Sequence, residues 1–73
     1  MVARDEVAIT DDTIRLGQFL KLAGLIDSGA DAKAVIANGL VCVNDEVERR
    51  RGRKLHPGDE VSIAGRTAVV AGG

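Results

Sequence analysis

The apolar residues change their spacing once along this chain, and that change limits the folds open to it. Leu16, Phe19, Leu20 and Ala23 stand at i, i+3, i+4 and i+7, and Ala32, Val35 and Ile36 make a second helical stripe. From Leu40 onward apolar and polar residues alternate instead, in LVCVNDEVE, EVSI and TAVV, as strands with one buried face do. The spacing predicts two consecutive short helices, over about residues 14–23 and 29–38, followed by several short strands. Thr13 is placed to cap the first helix and Gly24 to end it; Ser28 is placed to cap the second and Asn38-Gly39 to close it. Asn44-Asp45, between Val43 and Val47, predicts a hairpin, because both residues tolerate a positive φ. Pro57-Gly58 and Gly65-Arg66 predict two more turns, Val61 to Ile63 and Thr67 to Val70 two more strands, and Val7 and Ile9 a short first strand. The fold class is therefore α+β, with two helices on an antiparallel sheet. Phe19, Leu20, Val35, Ile36, Val41 and Val43 are expected to be buried.

At 73 residues the chain has room for one domain, spanning 1–73. Much of its apolar set is Ala and Val, with one Phe and no Tyr or Trp, so the core must be thin. No apolar run approaches the length of a membrane span. The N-terminal stretch is acidic and lacks the apolar segment of a secretory signal, and one Cys cannot form an internal disulfide. These features predict a cytoplasmic protein, and a monomer is expected.

Nothing in the pattern predicts catalysis. Cys42 lies between Val41 and Val43, with no base beside it in the sequence, and reads as a small hydrophobe. His56 precedes Pro57-Gly58 and reads as a turn residue. One His and one Cys are too few for a metal site, and no glycine-rich phosphate cradle is present. The expectation is a protein that is not an enzyme and takes no cofactor and no metal.

The charge pattern is more informative. The formal net charge is −1, yet Arg49, Arg50, Arg51, Arg53 and Lys54 place five cations in six residues. The average hides this because Asp5, Glu6, Asp11 and Asp12 stand in the first twelve residues against Arg4 alone. Four of the five clustered cations are Arg, which forms bidentate bonds to phosphate oxygens. The cluster follows the predicted hairpin, so a folded frame presents it. Arg15, Gln18 and Lys33, on the two helices, extend the basic surface if the helices pack beside that hairpin.

The stretch from residue 14 to residue 61 resembles the small RNA-binding domain first recognised in ribosomal protein S-four, above all its stand-alone bacterial form. The resemblance rests on FLKLAGL, SG-x-x-AK-x-x-I-x-x-G-x-V-x-VN and RRGRKL-x-PGD-x-V, in that order and spacing. It implies two helices packed on a small, curved antiparallel sheet. It also implies structured RNA, ribosomal RNA or the ribosome, as partner. The basic surface that it implies falls on Arg15, Lys33, Arg50, Arg51, Arg53 and Lys54, and Arg49 adds a cation where Thr is usual. Asp45 stands where Gly is usual, and Ala30 replaces a common Gly. The lone Phe19 belongs to the buried stripe, so phosphate and shape recognition is expected in place of base stacking.

A second resemblance points elsewhere. The stretch from Val43 to the terminal Gly72-Gly73 is similar to the second half of a β-grasp sulfur-carrier protein, in which a Gly-Gly tail becomes a thiocarboxylate. The two readings differ in helix count. Two consecutive helices belong to the RNA-binding fold; one helix after an N-terminal hairpin belongs to the carrier.

Overall fold

Two consecutive helices are present, α1 (Leu16–Leu22) and α2 (Gly29–Ala37), in the computed structural model, which describes residues 4–72. The strands are β1 (Arg4–Ala8), β2 (Ile14–Arg15), β3 (Val41–Val43), β4 (Glu46–Val47), β5 (Lys54–Leu55), β6 (Glu60–Ile63) and β7 (Arg66–Ala71). The helix count goes against the sulfur-carrier reading, and no N-terminal hairpin precedes α1 among the described residues. Gly73, which that reading needs, lies outside them. No helix among the described residues is long and apolar enough to cross a membrane.

Both helices end in one way. After α1, the Gly24 and Leu25 N–H groups donate to the carbonyls of Lys21 and Leu20; after α2, those of Gly39 and Leu40 donate to Ile36 and Val35. These are Schellman closures, and they need a left-handed residue, supplied by Gly24 (φ 70) and Gly39 (φ 71). Ser28 caps α2 as expected, accepting from the Asp31 N–H at 3.3 Å. The start of α1 departs from expectation. Thr13 is not its cap, and Ile14 and Arg15 are extended, pairing antiparallel with Leu55 and Lys54. The helix then opens at Leu16 with no side-chain cap at Arg15.

The main sheet has the order β1-β7-β6-β3-β4. The β3–β4 hairpin turns at Asn44 (φ 52) and Asp45 (φ 70), as expected of that pair. The next hairpin turns one residue earlier than expected, at Ala64 (φ 50) and Gly65, and Arg66 already belongs to β7. The sheet is mixed, not wholly antiparallel: β1 runs parallel to β7, from Arg4 beside Thr67 to Ala8 beside Ala71. A parallel neighbour needs a long crossover, and here the rest of the domain is that crossover.

One face of the sheet, with Val41, Val43, Val61, Ile63, Ala68 and Val70, packs against Leu16, Phe19 and Leu20 of α1 and Ala32 and Ile36 of α2. Leu55 and Ile9 complete the core. Val35 differs from expectation: it is half-buried at the margin of the cluster. Cys42, Ser62 and Thr67 alternate onto the other face, where Ser62 Oγ and Thr67 Oγ1 stand 3.4 Å apart.

Candidate nucleic-acid interface

The basic loop leaves the sheet at the end of β4 and folds around a carboxylate. Glu48, only 7% exposed, turns its side chain into the loop that follows it. Its Oε2 accepts the backbone N–H groups of Arg49 (3.1 Å) and Arg50 (3.2 Å) and, at 3.5 Å, Nε of Arg50. Its Oε1 accepts from Arg53 Nη1 at 3.0 Å. The loop closes where the Arg53 N–H donates to the Arg50 carbonyl at 3.3 Å. The Arg53 guanidinium holds the Glu48 carboxyl below the ordinary glutamate range; burial opposes this, and the Arg50 N–H and guanidinium reinforce it. A buried carboxylate is costly unless paired and hydrogen-bonded, and this one is both.

The loop in turn completes α1. The Leu16 N–H donates to the Arg53 carbonyl at 2.9 Å and the Gly17 N–H to the Arg51 carbonyl at 3.1 Å. Two orphan donors of the first helical turn are thus satisfied by chain more than thirty residues away, which is why no N-cap side chain is needed. Contact is close enough to require glycine: a Cβ on Gly17 would stand 2.7 Å from Arg51 Cγ. The stem of Arg51 lies on the helix where that Cβ would be.

Between loop and helices runs an open groove of about 320 Å³, lined by Arg15, Gln18 and Lys21, by Gly29 and Ala32 of α2, and by Arg51 and Gly52. Lys54 faces Arg15 directly across the β2–β5 ladder. Like charges in register destabilise a strand pair, so this pairing disfavours the empty state and favours an anion between the two.

The cations expected from the sequence thus occupy distinct places. Arg15 and Arg51 line the groove, and Lys54 adjoins it. The side chain of Arg50 is 81% exposed at the outer side of the loop, and Lys33 is exposed on α2 beside Ala32. Arg49 lies against the end of α2, its Nη2 2.8 Å from where a Gly39 Cβ would be. Arg53, 33% exposed, is held by Glu48. Lys21 and Glu48 were not among the expected residues. Lys21 was findable, since Arg15, Gln18 and Lys21 repeat at three-residue spacing within the helix expected over residues 14–23. Glu48 had no comparable signal.

A second network sits apart. Asn44 Nδ2 donates to Asp59 Oδ1 at 3.1 Å, Asn44 Oδ1 accepts the Glu60 N–H at 3.0 Å, and Asp59 Oδ2 accepts the His56 N–H at 2.8 Å. Burial pushes the Asp59 carboxyl up, but these bonds together hold it below its ordinary range. They tie the hairpin turn to the turn at Pro57-Gly58. Phe19 is fully buried, so no Phe, Tyr or Trp ring is exposed for a base, and the imidazole of His56 is the exposed ring that the chain offers.

The S4 domain sequence model matches residues 7–71, so it takes in all of β7 and the end of β1 (Val7 and Ala8), beyond the 14–61 core read from motifs. A probable ribosome maturation protein of Bacillus subtilis is 52% identical over 59 residues, covering 81% of this chain and 83% of that protein. The solution structure of YbcJ from E. coli, which has an αL motif involved in RNA binding, superposes with a TM-score of 0.68 at 37% identity, covering 97% of this chain and 89% of that one. The 30S ribosomal protein S4e of Thermoplasma acidophilum superposes with a TM-score of 0.61 at 26% identity, covering 80% of this chain but only 31% of that longer one.

Proposed function

This chain belongs to the S4 domain family, and from that premise we propose that it binds structured RNA through the groove between α1, α2 and the basic loop, without catalysis. The observation that carries the proposal is Arg15 opposite Lys54 with Arg51 across the groove. An RNA phosphate is the ligand that relieves this arrangement. Arg51 and Arg15 can each offer a planar fork to phosphate oxygens. With Phe19 buried and no Tyr or Trp in the chain, recognition rests on phosphates, 2′-hydroxyls and the shape of an RNA helix. Ribosomal RNA is the target we infer, supported by likeness to a ribosome maturation protein and to a ribosomal protein.

The test is a titration with a structured ribosomal RNA fragment, an unstructured single strand and a DNA duplex, at several salt concentrations. Binding should favour structured RNA, and the log–log salt slope should be about −3 to −5, as for roughly four to six neutralised phosphates. No binding to structured RNA, or binding insensitive to salt, would remove the proposal.

The fit of Arg51 on Gly17 gives a sharper result. Gly17→Ala should improve the helix by about 1 kcal/mol in propensity while displacing Arg51. Because the clash lies at Cγ, close to the Arg51 backbone that accepts the Gly17 N–H, thermal stability should not rise by that amount, and RNA affinity should fall about tenfold, the scale of one lost charged hydrogen bond. Unchanged affinity would show that Arg51 works from more than one position.

A further inference from the structure

Glu48 places a negative charge inside a loop whose proposed partner is a polyanion. On charge alone it should oppose binding. Its geometry argues the reverse. Five cations in six residues repel one another, and a loop of that composition with no internal anion would splay. Here Oε2 gathers the N–H groups at the start of the loop and Oε1 holds Arg53 at its end. The ordered loop then delivers the Arg51 and Arg53 carbonyls to α1. The geometry assigns Glu48 as a positioning residue: it fixes loop 49–53 so that Arg50 and Arg51 meet phosphates in one conformation, with Arg53 as its internal partner and not an RNA contact. The inference rests on the RNA-binding reading above. Its physical content is pre-organisation, since a loop ordered before binding loses less entropy on binding.

The two views of Glu48 predict opposite signs. Glu48→Gln removes a negative charge and keeps the side-chain shape. If only charge mattered, RNA affinity would rise and the salt slope would hold or steepen. If Glu48 positions the loop, affinity falls about tenfold and the slope becomes shallower, because the cations no longer engage together. Arg53→Ala should act through the same contact, so the two changes should be far from additive.

The experiment pairs RNA titrations of wild type, Glu48→Gln, Arg53→Ala and the double variant with amide hydrogen exchange of the free proteins. Weaker binding by Glu48→Gln, with faster exchange at Arg49, Arg50, Leu16 and Gly17 and unchanged exchange at Val41 and Val61, is the expected result. Equal or tighter binding by that variant, with the loop amides unchanged, overturns the assignment. If Glu48→Gln unsettles the core amides as well, Glu48→Gln with Arg53→Gln replaces it and is read by the same two outcomes. If wild type does not bind the RNA, the functional reading fails by itself. Exchange of the loop amides then decides whether Glu48 orders the loop.

Discussion

Phe19→Ala is expected to leave a protein that is largely unfolded at physiological temperature. Phe19 is fully buried, is the one Phe in a chain without Tyr or Trp and stands between Leu16 and Leu20 on the core face of α1. Truncating a buried Phe costs about 3–5 kcal/mol, lost transfer energy plus the cavity left behind. A domain of this size holds a total stability of about the same magnitude. The surrounding core side chains are Val, Leu, Ile and Ala, several of them on sheet backbone that cannot shift far without breaking its ladder. Collapse can therefore recover little of the loss. Urea denaturation of the variant and wild type measures this. A midpoint within error of wild type would show that the helical stripe does not hold the core together.

The second large effect concerns Arg15 and Lys54, and its sign should differ between the free protein and the complex. Replacing both by Ala removes a like-charge pair in register, which should stabilise the free protein by about 0.2–1 kcal/mol. The same change removes two proposed phosphate contacts. The salt slope of RNA binding should become shallower by about two. Affinity at moderate salt should fall by about a hundredfold, if each contact is worth about a factor of ten. Thermal melts and RNA titrations of one preparation report both quantities. A variant that is more stable and binds as well as wild type would move the phosphate site away from the β2–β5 ladder. A variant that is less stable would mean the two cations find favourable contacts in the free protein.

The parts of this fold legible in the sequence were those set by near neighbours. Leu16, Phe19 and Leu20 share a face because a helix turns every 3.6 residues, and Asn44-Asp45 turns because those side chains tolerate the left-handed region. What was not legible depended on distant chain. Ile14 and Arg15 fall within the helix expected from the sequence, but β5 captures them as a strand from forty residues away, and carbonyls of the loop supply the missing cap. The parallel partner of β1 lies at the other end of the domain. The site followed the same rule. A run of Arg and Lys was visible as charge, yet its division into groove-lining, outward-facing and internally held side chains depends on one buried carboxylate.

The order of the main sheet bears on how the protein meets a partner. β1, with exposed Asp5 and Glu6, is at one edge, and β4, from which the basic loop departs, is at the other. Four strand spacings separate them, about 19 Å. The Debye length at physiological salt is about 8 Å, so a polyanion close to one edge is largely screened from the other. The net charge of −1 is then a poor guide to encounter. An RNA close to the loop therefore meets the local charge there, the clustered cations together with the exposed Asp45 and Glu46 of the adjoining hairpin, and not the average over the chain. A nominally acidic chain can in this way present a local field that attracts a polyanion, and that attraction weakens as salt shortens its range.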